Sequence, residues 1–245
     1  MGTLKHSVGI HGTGRAENPP NGGGDNGGYR PGRHEPAGYY ERLRRYRLAV
    51  GVLLLSVIMI FVALSSAYIV RAGMGNFDPV THTYVYDWKP IQLPNLLLLL
   101  NTAVLLLSSF TLEMARRNLN ARAVTAGLSG LPGVAVEPER STPWLGITLI
   151  LGMGFLAGQY MAWRVLRAEG LFLATNPSSS FFYVLTGAHA AHLIGGLIAL
   201  LYAAFAVTLG KSLATRRVVV DAASWYWHFM AVLWIYIFAL LHFGR

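Results

Sequence analysis

The stretch LAVGVLLLSVIMIFVALSSAYIV at 48–70 holds no charged residue. It reaches the ~20 apolar residues that an α-helix needs to cross a bilayer core. ERLRRYR at 41–47 stands directly before it, where cationic side chains anchor at a lipid surface. Four runs of the same kind follow. The second covers about 93–114, opening at Pro94, which a helix start tolerates, and ending at Arg116-Arg117. The third covers about 143–165, after the loop LSGLPGVAVEPERSTP. The fourth, about 179–209, is long enough to need tilt, and the fifth covers about 219–243. Continuous apolar runs exclude the alternating strands of a membrane barrel. The expected fold is therefore an all-α integral membrane bundle of five transmembrane helices, formed by residues 41–245.

Composition points the same way. Hydrophobic residues make up 53% of the chain and charged residues 13%, about half the charged share of a typical soluble domain. There is no cysteine, which excludes disulfides, thiolate metal sites and cysteine nucleophiles. The net charge is +9, but the basic residues flank apolar runs instead of covering a polar domain. They read as anchors to anionic lipid, and no nucleic-acid partner is expected. Residues 1–40 include NPPNGGGDNGG at 18–28 and cannot bury enough apolar surface to offset chain entropy, so a disordered tail is expected there. It carries no apolar segment of the secretory-signal kind. His6, His11 and His34 fall in that tail and are expected in solvated coil. With the N-terminus inside, 15 of the 20 Lys and Arg lie on the inner side. Arg71, Lys89, Arg164, Arg167 and Arg245 lie outside. The positive-inside rule then places the N-terminus in the cytoplasm and the C-terminus outside.

Ionisable side chains inside a membrane are costly and therefore point to function. Here they are few. His189 and His192 stand three residues apart on one face of the fourth helix, and His228 lies within WYWHF (225–229) on the fifth. One reading is haem or metal ligation, since imidazole suits iron, copper and zinc. Another is a proton relay. The third, which the spacing favours, is hydrogen bonding between the fourth and fifth helices, because an i, i+3 pair points both rings the same way while two axial haem ligands come from different helices. Gly and Ala in GAHAAHLIGG (187–196) and LGITLILGMGFLAG (145–158) permit close backbone approach. Trp225 and Tyr226 suit an interfacial belt, whereas the deeper Trp227 and His228 are expected against a neighbouring helix or subunit. Arg71, Arg116 and Arg117 are candidates for lipid head groups by their interfacial position. No phosphate-binding loop, zinc-protease, dinucleotide or nucleophile-elbow motif occurs.

FFYVLTGAHAAHLIGG (181–196) and SWYWHFMAVLWIYIF (224–238) resemble subunit III of the haem-copper oxidases, the cytochrome c and quinol oxidase family. That family carries a TG-x-H-xx-H helix followed by a YWHF-VDVVW helix. Ser56, Met59, Phe61, Leu64, Ala67 and Tyr68 match its first conserved helix, NLLLLLNTAVLLLSS (95–109) its LNT-VLLLSS helix, and Gln159 with Trp163 its Q-xxx-W element. The resemblance spans about 45–243 and fits the short, five-helix form. Three carboxylates usual in the family are replaced here, by Val57, Ala162 and Ala231, which puts a proton-uptake or subunit-contact role for those positions in doubt.

The resemblance implies an accessory, non-redox subunit of a respiratory terminal oxidase in the bacterial cytoplasmic membrane. No catalytic, cofactor-binding or metal-binding residue is then expected on this chain, and haem and copper belong to the partner catalytic subunit I. The chain would stabilise that subunit and retain phospholipid, with His189, His192, Trp227 and His228 forming a structural or subunit-interface network. An accessory subunit of a nitric oxide reductase is the nearest alternative. A small b-type membrane cytochrome is an alternative of another class. A small transporter is disfavoured because neither inverted repeats nor paired broken helices occur.

Overall fold

The computed structural model describes residues 39–74, 76–80, 82–85, 88, 92–128, 143–209 and 212–244. The segment expected to be a tail, with its three histidines, lies outside the described residues except for Tyr39 and Tyr40, which begin α1. Five helices follow one another: α1 (Tyr39–Gly73), α2 (Asn95–Leu128), α3 (Pro143–Ala168), α4 (Pro177–Thr208) and α5 (Leu213–Phe243). Each is long and apolar enough to cross a membrane. Between α1 and α2, two short strands, β1 (Asn76–Asp78) and β2 (Thr83–Val85), pair antiparallel with Phe77 opposite Tyr84.

The helices run past the apolar runs because charge excludes a residue from hydrocarbon without excluding it from a helix; Arg, Lys and Glu are good helix formers. α1 thus begins within the basic segment, with Glu41 and Arg45 3.9 Å apart one turn from each other. α5 begins at Leu213, a turn and a half before the apolar run, behind a Ser212 N-cap whose hydroxyl accepts from the Thr215 amide. α3 and α4 open on Pro143 and Pro177, where the missing N–H costs nothing. α3 ends in a Schellman motif: Gly170 takes φ +80°, its amide donates to the Arg167 carbonyl, and the Leu171 amide donates to that of Leu166.

α5 packs against α1, α2 and α4, and α3 joins the bundle through α2 and α4. Its buried stripe includes Val220, Ala223, Trp227, Met230, Trp234, Ile237 and Leu241, the spacing of one helical face. α1 buries least. Val57, Phe61, Ser65 and Tyr68 turn inward while Val52, Leu55, Met59, Val62 and Ile69 stay exposed, as lipid or a protein partner in the membrane requires.

Candidate functional site

The interior is built around two tryptophans seven residues apart on α5. Trp227 is fully enclosed. A Cβ added to Gly152 of α3 would stand 2.9 Å from its ring, and one added to Gly196 of α4 would stand 3.2 Å from it. Two helices therefore close on the indole only because both positions lack a side chain. The indole N–H donates to Ser108 Oγ of α2 at 3.1 Å, and that hydroxyl donates to the Thr148 carbonyl of α3 at 3.2 Å. Two turns further on, Trp234 Nε1 donates to Thr102 Oγ1 at 2.9 Å. Each buried indole N–H thus finds a hydroxyl on α2, as buried tryptophans require. Sequence reading missed Ser108 and Thr102. Their signal was the pair of hydroxyls six residues apart, at 102 and 108, in a leucine-rich run.

The expected imidazole hydrogen bonds between α4 and α5 do not form. His189 is fully buried between aromatic rings, 5.1 Å from Trp234 and 5.9 Å from Phe155 between centroids. Neither of its nitrogens has a hydrogen-bond partner. His192 Nδ1 donates to the Ala188 carbonyl of its own helix at 2.7 Å, and the α4–α5 bond at this level is instead Tyr226 Oη to the His192 carbonyl at 2.9 Å. His228 turns to α2, where Nδ1 pairs with Ser109 Oγ and Nε2 lies 3.8 Å from Glu113. The physical reason lies in azimuth: residues 227 and 228 are about 100° apart around a helix, so Trp227 faces the gap between α3 and α4 while His228 turns away from α4 to α2. Among the described residues no group of three or more His, Cys, Asp or Glu is disposed to hold a metal ion.

Near the start of α1 a charged cluster ties three helices together. Asp221 of α5 accepts from Arg47 Nε of α1 at 3.0 Å and from Arg116 Nη1 of α2 at 3.1 Å. Arg116 also grips Glu113 through Nε at 2.8 Å and Nη2 at 3.0 Å, and Arg117 Nε donates to Glu113 at 2.9 Å. Forked, charge-assisted bonds of this kind are the strong ones. Arg217 Nε donates to Asn120 Oδ1 at 3.1 Å nearby. Asp221 was not singled out from sequence, though a lone acid between VVV and AAS was its signal. Of the candidate head-group ligands, Arg116 is engaged by both acids, while Arg117 keeps 68% of its side chain exposed. Arg71 lies at the far end of α1 and donates to the Met74 carbonyl at 3.2 Å. The replaced carboxylate positions, Val57, Ala162 and Ala231, are all buried inside the chain.

The family model for Cytochrome c oxidase subunit III matches residues 37–244. A probable cytochrome c oxidase subunit 3 from Nocardia farcinica is 32% identical over 192 residues, covering 78% of this chain and 83% of that protein. The Mycobacterium leprae protein of the same description is 30% identical, over 79% of this chain and 85% of its own length. Cytochrome c oxidase subunit 3 of Synechocystis is 31% identical over 221 residues, covering 89% of this chain and 82% of that one.

Proposed function

This chain belongs to the cytochrome c oxidase subunit III family, and from that premise we propose that it is an accessory, non-redox subunit of a respiratory terminal oxidase. The five apolar helices together with this membership make it a multi-pass membrane protein. The observation that carries the proposal is the extent of the match, which takes in every described helix. In this reading the chain holds no haem or copper, packs beside the catalytic subunit that carries them, and stabilises it. Supporting this, the interior is filled by aromatic and aliphatic packing, and His192 and His228 make hydrogen bonds within the chain. The 15-to-5 division of Lys and Arg supports a cytoplasmic N-terminus, and the bacterial relatives support the bacterial cytoplasmic membrane as its location.

Phospholipid retention is part of the same proposal. An apolar groove of about 320 Å³ runs between α1 and α5, lined by Arg47, Val50, Leu54, Ile58, Trp225 and Phe229. Acyl chains fit such a groove, and the exposed Arg117, with Arg71 at the opposite end of the bundle, suits head-group phosphate. His189, His192, Trp227 and His228 serve this role as structural residues.

The test is purification in mild detergent through a tag on this chain, read by subunit mass spectrometry. A haem-copper catalytic subunit recovered in stoichiometric amount is the expected result. Recovery of the chain without one overturns the proposal.

A further inference from the structure

Four polar side chains with unpaired buried atoms lie at one depth of the bundle, apart from His242 Nδ1, which is buried and unpaired in the last turn of α5. Ser65 Oγ, Asn101 Nδ2, both side-chain polar atoms of Gln159 and both ring nitrogens of His189 are buried and make no hydrogen bond. All four residues are more than nine-tenths buried. They come from α1, α2, α3 and α4, one from each.

Their common level follows from neighbouring contacts. Trp163 Nε1 donates to Thr186 Oγ1 at 3.1 Å, which sets α3 against the antiparallel α4. Gln159 lies four residues from Trp163 and His189 three from Thr186, so the two differ in height by one residue, about 1.5 Å. Both face inward, because Gln159 follows Phe155 by four residues on α3 and Phe155 meets the His189 ring. Phe61 of α1 meets His192 of α4 at 5.8 Å between ring centroids. Ser65 is four residues beyond Phe61 and His189 three before His192, which brings them to the same height within about 1.5 Å. Asn101 presses its carboxamide against Gly158, next to Gln159. The layer sits about 14 Å along α3 from its end at Ala168, inside the apolar span.

Hydrocarbon offers no partner for any of these atoms, and a buried polar atom left unpaired is penalised more heavily there than in a soluble protein. A direct bond between Gln159 and His189 satisfies one atom of each and leaves the others, with Asn101 and Ser65, unchanged. The donor set decides what else fits. Asn101, Gln159 and His189 combine amide N–H, amide oxygen and imidazole without a carboxylate, so they cannot neutralise a cation. They suit a small neutral ligand that both donates and accepts. We propose that Asn101, Gln159 and His189 form an internal water-binding site, in which ordered water links α2, α3 and α4 within the membrane. Buried water ordinarily makes about three such bonds to otherwise unsatisfied groups.

The test is electron cryomicroscopy of the intact detergent-purified complex, at a resolution that shows ordered water, joined to hydroxyl-radical labelling by X-ray radiolysis. Water density within hydrogen-bond distance of Gln159 and His189 is expected. Radiolytic labelling of Phe155, beside the layer, should exceed that of the equally enclosed Phe182 several-fold. The double variant Gln159→Met with His189→Phe should bring Phe155 down to the Phe182 level. A map in which Gln159 and His189 bond each other with no water density overturns the proposal. So does equal labelling of the two phenylalanines in the wild-type complex, a result that needs no variant to fold.

Discussion

Asp221 and Trp227 stand six residues apart on α5, yet they join it to its neighbours by different physics. Asp221 is held by charge: two guanidinium groups from α1 and α2 reach its carboxylate at 3.0 and 3.1 Å, near the helix ends where the basic residues cluster. Trp227 is held by shape, between Gly152 and Gly196, with one neutral hydrogen bond to Ser108. Nearer the interface, water and head groups lower the cost of charge, so a forked ion network is affordable. Deeper in, close packing of a large ring into glycine gaps takes over. A membrane bundle can thus change its kind of joint within two turns of one helix.

Substitutions at both joints test that contrast. Trp227→Ala has the largest expected effect. It empties an enclosed three-helix junction and removes a donor from Ser108, a loss of about 3–5 kcal/mol by analogy with buried aromatic truncations. It should appear as a fall of many degrees in the detergent melting temperature of the assembled chain. Asp221→Ala takes the carboxylate from Arg47 and leaves Arg116 held by Glu113 alone, and should cost about 1.5–3 kcal/mol, the range for hydrogen bonds to charged groups. Asp221→Asn should recover little of that, since the charge is what both arginines meet. If Asp221→Ala melts like wild type, the charged joint carries no weight and the contrast fails.

Gly152→Val should cost about 1–3 kcal/mol by overpacking against a rigid indole. Gly146→Val, on the same helix but with nothing within 4 Å of its added Cβ, should leave melting unchanged. Equal effects at the two glycines would show that helix propensity, and not the fit to Trp227, sets the cost. Arg117→Ala is expected to change stability least, by under about 1 kcal/mol, because this arginine is largely exposed. Its effect should show instead as loss of co-purifying anionic phospholipid by mass spectrometry, which sharpens the distinction between a charge that ties helices and one that meets lipid.

Five membrane helices were legible because an uncharged run of bilayer length has few other readings. Their ends were not. The Arg216-Arg217 pair that closed the apolar run at 219 lies inside α5, since a basic residue interrupts hydropathy and not helix geometry. The shared face of His189 and His192 was also legible from spacing. Which neighbour that face meets was not, because spacing along one helix leaves its rotation in the bundle undetermined. Hence the imidazoles meet Phe155, Trp234, Phe61 and Ser109 where hydrogen bonds between α4 and α5 were expected. The partners of Asp221 were hidden for a related reason: Arg47 is 174 residues away in the chain, and a surplus of arginines near every helix end gave no ground for choosing among them. The glycines of α3 and α4 could be read as close-packing positions, but not as the two walls around Trp227.

The measurement that most directly tests the central claim is the visible spectrum of this chain after it has been separated, in mild detergent, from the complex it co-purifies with. The accessory reading predicts a colourless chain, with all haem absorbance remaining on the partner subunits. A Soret band that stays with this chain, and is lost on substitution of His189 or His192, would contradict it.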